Sequence, residues 1–179
     1  MKRLMIGAVG LAVAITAVRC GGSNNNNPTG PSTTGPIVFS ATLSPANEVP
    51  PITSNEANAR GTATVTMNVP RDASGNPNGA GTLSFAVQMS GFPAGTPIVA
   101  GHIHTGAAGA NGGVLISTGL SGAAPLLLTD GTTNTSFNNV TVPADQALAI
   151  YTNPAGYYVN FHSQQHPGGV IRGQMVRMQ

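Results

Sequence analysis

From residue 37 onward the apolar positions come in short, β-branched, alternating runs broken every few residues by Gly, Pro or Asn, which predicts strands rather than helices. Residues 37–43 open the series. In 63–69, Ala63, Val65, Met67 and Val69 fall on one face and Thr64, Thr66 and Asn68 on the other. Residues 82–89 repeat the pattern with apolar odd-numbered positions, and the Gly-, Asn-, Asp- and Pro-rich segment 70–81 between the two runs predicts a hairpin. Further strands are predicted at 98–104, 113–117, 136–142, 157–162 and 170–178, while 126–128 fits a buried strand or a covering loop. Only 144–151 fits a short helix, with Pro143 in its first turn. About eight short strands separated by turns predict an all-β fold, an antiparallel sandwich or barrel with Greek-key-like connections.

The chain ahead of this region has a different character. Met1-Lys2-Arg3 and the apolar run 4–18 have the layout of a secretory signal, and the run is shorter than the roughly 20 residues that span a bilayer. Cys20, the only cysteine, follows at once and precedes Gly21-Gly22-Ser23 and four asparagines. This order resembles a bacterial lipoprotein signal. It implies a signal peptide over 1–19, lipid attachment at Cys20, a lipid bilayer as partner and a place in the cell envelope, although Arg19 stands where such signals usually carry a small residue. An ordinary secretory signal cut elsewhere is the alternative. Residues 20–36 hold no large apolar side chain except Cys20 and predict a flexible tether, leaving 37–179 as one domain.

Charge narrows the function classes. The whole chain is formally +2, but without 1–19 four arginines face five carboxylates, a net charge of −1. No net positive charge is left to neutralise phosphates, so nucleic acid is not expected as a partner. The domain has no cysteine and must be stable without disulfides, and no serine lies in a nucleophile-elbow pattern.

The chemistry-bearing residues are few. His102 and His104 flank Ile103 in a predicted strand, so both imidazoles share one face about 7 Å apart while Ile103 faces the core. In the strand over 157–162 the same alternation puts Tyr158, Asn160 and His162 opposite Val159 and Phe161. If the two strands lie together, His102, His104 and His162 converge on a site of copper type, with zinc as a lesser fit. A hydrogen-bonded histidine network is the alternative. His166, beside Pro167-Gly168-Gly169, is expected in an exposed turn. Glu48 and Arg172 are candidates for a buried ion pair joining the first and last strands, or Arg172 is a cation that attracts an anion towards the histidines.

Four ordered motifs carry a resemblance. Leu43-Ser44-Pro45-Ala46-Asn47-Glu48-Val49-Pro50-Pro51, His102-Ile103-His104-Thr105-Gly106, Tyr158-Val159-Asn160-Phe161-His162 and Gly169-Val170-Ile171-Arg172-Gly173-Gln174 resemble the CHRD domain, named for the animal protein chordin and present in exported bacterial proteins. Val170 departs from the glutamate frequent there. The resemblance implies a β scaffold and a binding or envelope module, without fixing an activity. The His-x-His pair is also similar to the copper strand of Cu,Zn superoxide dismutase, but neither a zinc half nor a cysteine pair accompanies it. Three readings remain open: a tethered module with a copper-type three-histidine site, a redox enzyme similar to that dismutase, and a metal-free protein-interaction domain.

Overall fold

The computed structural model describes residues 35–178; the predicted signal peptide, Cys20 and the tether up to residue 34 lie outside the described residues. Ten strands are present among them: β1 (Ile37–Leu43), β2 (Arg60–Asn68), β3 (Gly81–Ser90), β4 (Thr96–Thr105), β5 (Val114–Ser117), β6 (Leu126–Leu128), β7 (Thr133–Val142), β8 (Tyr157–Ser163), β9 (Ile171–Gln174) and β10 (Val176–Arg177). One α-helix, α1 (Ala144–Thr152), follows β7. The strands form two antiparallel sheets, one in the order β10-β1-β2-β3-β7 and the other β5-β4-β8-β9, with β6 also paired to β4. Placing β10 beside β1, ahead of β2 and β3, is the Greek-key order. The fold is the expected antiparallel sandwich.

Alternation builds the core. Ile37, Phe39, Ala41 and Leu43 of β1, Ala63, Val65 and Met67 of β2, and Leu83, Phe85, Val87 and Met89 of β3 are all buried. The three strands pair so that these residues stack in rows, Phe39 against Val65 and Val65 against Phe85. From the other sheet Ile98, Ile103, Val159, Phe161 and Ile171 close the core, each fully buried. Helix α1 adds Ala147 and Ile150, and Pro143 is its N-cap rather than a first-turn residue.

The expected count of about eight strands rises to ten for two reasons. Residues 126–128 pair with the first residues of β4 and form β6. The run predicted as one strand over 170–178 is instead two strands in different sheets, β9 on β8 and β10 on β1. The chain crosses between sheets at Met175, which is buried between them. A backbone bridge from Ser44 to Arg172 ties the end of β1 to β9 at the same edge. The sandwich is therefore closed along one side by main-chain contacts. Gly173 sits where a Cβ would collide with the Thr42 backbone. Gly173→Ala is expected to cost about 1–3 kcal/mol through that overlap, read as a lower urea midpoint with an unchanged m-value.

Candidate metal centre

One extra residue in β4 sets the geometry. Ile98 lies opposite Ser163 and Ala100 opposite His162, so β4 carries a bulge between them. The bulge reverses the alternation. Ile98 and Ile103 can thus both face the core, while His102 and His104 lie on the opposite face of the sheet. There His102 is opposite Asn160, His104 opposite Tyr158, and His162 sits one pair further along.

That outer face is covered. All of β8 after its first residue is buried, on both faces of the strand. Above it lie His104, His162, Tyr158, Asn160, Arg172 and Glu48, each 7 % exposed or less, with His102 half-buried. The cover comes from the segments around residues 47, 110 and 167, which reach these side chains through backbone carbonyls.

The three predicted histidines converge, with one ring nitrogen of each lying within 4.8 Å of the others. His102 Nδ1 is 3.1 Å from His162 Nε2. His104 Nδ1 lies 3.0 Å from the Gly112 carbonyl and His162 Nδ1 lies 2.9 Å from the Pro167 carbonyl. A carbonyl oxygen only accepts, so both rings carry their proton on Nδ1 and turn an Nε2 lone pair towards the site. His102 Nδ1 consequently donates to His162 Nε2. His104 Nε2 is buried and has no hydrogen-bond partner.

The rings are oriented from outside as well. Tyr158 stacks on His104 at 5.0 Å between centroids, 9° from parallel, and its hydroxyl accepts from Gly112 N–H at 3.2 Å. Gly112 is held on both sides, by Tyr158 through its N–H and by His104 through its carbonyl. A Cβ at Gly112 would strike the Thr105 carbonyl, so the close approach needs glycine. Burial pushes all three imidazoles below their usual value, His102 down to about 4 with help from its two neighbours. The rings stay neutral, as metal ligands must.

Glu48 and Arg172 also come together, but loosely. Arg172 Nε is 3.8 Å from Glu48 Oε2, with both side chains buried. Its shorter bonds go from Nε to the Asn47 carbonyl at 2.6 Å and from Nη1 to Asn111 Oδ1 at 2.9 Å. The guanidinium also lies over the Tyr158 ring, 4.6 Å from its centroid. Burial drives the Glu48 carboxyl up to about 7 against the pull of Arg172 and an Asn160 hydrogen bond. Glu48 follows a short 3-10 turn after β1 rather than lying on a strand.

His166 departs from the expected exposed turn. Its Nδ1 meets Glu56 Oε2, which also accepts from the buried Ser163 hydroxyl, and its side chain is 21 % exposed. His166 is therefore not one of the converging ligands. Glu56 was missed because nothing in Ser54-Asn55-Glu56-Ala57 marks a residue that reaches a turn 110 positions later.

Opposing protonation shifts give the metal-free chain a distinctive pH profile. The unfolded chain protonates His102, His104 and His162 near 6.5 and the folded one only lower, so the stability these three contribute is present above 6.5 and lost as pH falls, for His102 towards 4. Glu48 acts in reverse. Its folded value of about 7 lies above the ordinary 4.5, so its contribution is complete below 4.5 and lost as pH rises to 7. Urea unfolding at pH 5 and pH 8 is expected to show Glu48→Gln lacking an alkaline loss of about 2–3 kcal/mol that the native chain carries. Equal losses in both proteins would refute the role of Glu48.

No curated protein matches the chain. A family model does, over residues 39–175, a span that takes in all but the start of β1 and the short β10 and holds every residue of the histidine and arginine clusters. It is the model of the CHRD domain, and the chain belongs to the CHRD domain family.

Proposed function

We propose that this protein is an exported, envelope-tethered CHRD module that binds one copper-type ion through His102, His104 and His162. The observation that carries the reading is the pair of fixed tautomers. Two rings are each tied at Nδ1 to a carbonyl and aim Nε2 inward, the outer-shell arrangement that orients metal-binding imidazoles. A purely structural network would satisfy its own atoms, yet His104 Nε2 is buried without a partner, a loss of about 1–3 kcal/mol. A metal ion would accept that lone pair. Bound, it would supply a Lewis-acidic or redox-active centre; the chain's own residues hold the donors neutral and limit solvent to the His102 side.

The signal-like layout of residues 1–19, Cys20 and the expected tether support the envelope location, with the bilayer as partner. Binding is favoured over dismutase-like turnover by the state of Arg172. A superoxide-handling site needs an accessible cation beside the metal. Arg172 is 2 % exposed, and its Nε and Nη1 donate to backbone carbonyls and Asn111, so it offers no such surface.

Metal analysis after incubation with copper or zinc is expected to give near-stoichiometric metal for the native chain and none for a His102→Ala/His104→Ala double variant. At free metal about 1,000-fold above Kd, stability should rise by about 4 kcal/mol in the native chain alone. Metal in neither protein would leave a histidine network and direct attention to protein partners. Tyr158→Phe removes the hydroxyl that holds Gly112 and is expected to weaken metal binding about 10- to 100-fold. Competition with a chromogenic chelator measures this, and unchanged affinity would deny Tyr158 its orienting part.

A further inference from the structure

Every carboxylate among the described residues is engaged away from the three imidazoles. Glu48 faces Arg172 and Asn160, and Glu56 accepts from Ser163 and His166. Asp72 caps its own loop through the amides of Ser74 and Asn76, Asp130 accepts from Thr132, and Asp145 sits in the first turn of α1. No cysteine occurs between residues 35 and 178. An ion among His102, His104 and His162 would be held by neutral donors alone.

The buried charge that communicates with these donors is positive. Arg172 lies 4.6 Å over Tyr158, and Tyr158 stacks at 5.0 Å on His104. Glu48 offsets this charge only in part, because its oxygen stays 3.8 Å from the guanidinium Nε and burial favours its neutral form.

Uncompensated charge in a buried site is costly, and the cost rises with ionic charge. A divalent ion here would keep both charges, whereas a monovalent one keeps a single charge. From the three neutral imidazoles, the absent anionic ligand and the neighbouring buried guanidinium, we infer that the site selects Cu(I) over Cu(II) and Zn(II). Imidazole donors by themselves would favour divalent copper among first-row divalent ions and accept zinc. Charge, rather than donor type, turns the preference. The inference rests on the metal-binding reading above and specifies the oxidation state that the site retains.

Ser117 supplies a control that leaves the interior untouched. It is exposed on β5 and lies directly opposite His102 across the β4–β5 pair. Ser117→Asp places a carboxylate beside the ligand on the same face, and Ser117→Asn places a neutral group of similar size there.

The test uses the full chain with Cys20→Ser, so that no thiol competes. Under anaerobic reducing conditions the protein is exposed to equimolar Cu(I) and Zn(II) and its metal content is measured. Cu(II) and Zn(II) affinities are measured separately by chelator competition. The expected result is copper retained with little zinc, and Ser117→Asp shifting affinity towards both divalent ions by about tenfold relative to Cu(I) while Ser117→Asn does not. Preferential zinc uptake, or a Ser117→Asp effect equal for all three ions, would overturn the inference while leaving metal binding intact. Failure of the unsubstituted site to take up any of the three would overturn the metal-binding reading itself, and the selectivity with it.

Discussion

The guanidinium of Arg172 is the fastening on which the histidine face depends. Sheets that carry polar groups on one side normally leave that side to water. Here the polar side of β4, β8 and β9 is roofed by loops, and Arg172 holds two of them. Its Nε takes the Asn47 carbonyl, its Nη1 takes Ala110 and Asn111, and its own carbonyl accepts from Asn47 Nδ2. The 106–113 loop held in this way brings Gly112 to His104. Arg172 also lies at the backbone bridge that joins the two sheets, so closure of the sandwich and roofing of the site share one residue.

A buried arginine is stable only when its donors are used, and breaking its contacts is strongly destabilising because a charge is left stranded. The Arg172 arrangement is nearly complete but not fully so. Nη2, Glu48 Oε1 and Asn160 Oδ1 are buried without partners in the same neighbourhood. The remaining orphan, His104 Nε2, is of another kind, since it belongs to a ring whose second nitrogen is already committed to Gly112.

Strict alternation made much of this visible in the sequence. In β2 and β3 the apolar residues keep period two from end to end, and the core rows follow directly. The convergence of His102, His104 and His162 was legible for the same reason, because His-x-His on one strand and His162 on another need only adjacency to meet. What alternation hides is a change of phase. Read with period two, Ile98 falls on the same face as His102 and His104; only the bulge before Ala100 restores it to the core. The break at Met175 is hidden likewise, since Ile171 to Met178 reads as one run while its halves pair in different sheets. Glu48 and Arg172 were found as lone charges in a nearly uncharged domain. Their 3.8 Å separation was not, because it follows from the stronger claims of Asn47 and Asn111 on the guanidinium.

The same roofing bears on the proposal that the site holds an ion rather than turning over a substrate. On the proposed reading, His104 and His162 have tautomers set by carbonyls and His104 is stacked on a buried tyrosine, so these two rings have little freedom left to lose on binding, while the His102–His162 hydrogen bond would be given up. That preorganisation favours affinity. Redox turnover with a small anion would need in addition a path for the anion and a cation to draw it in, and the cation nearest in structure to His104 is sealed beneath Asn47, Ala110 and Asn111. With His102 as the one half-exposed ligand, exchange with solvent is confined to the β5 side of β4. The arrangement therefore fits the proposed capture of an ion better than turnover of a substrate.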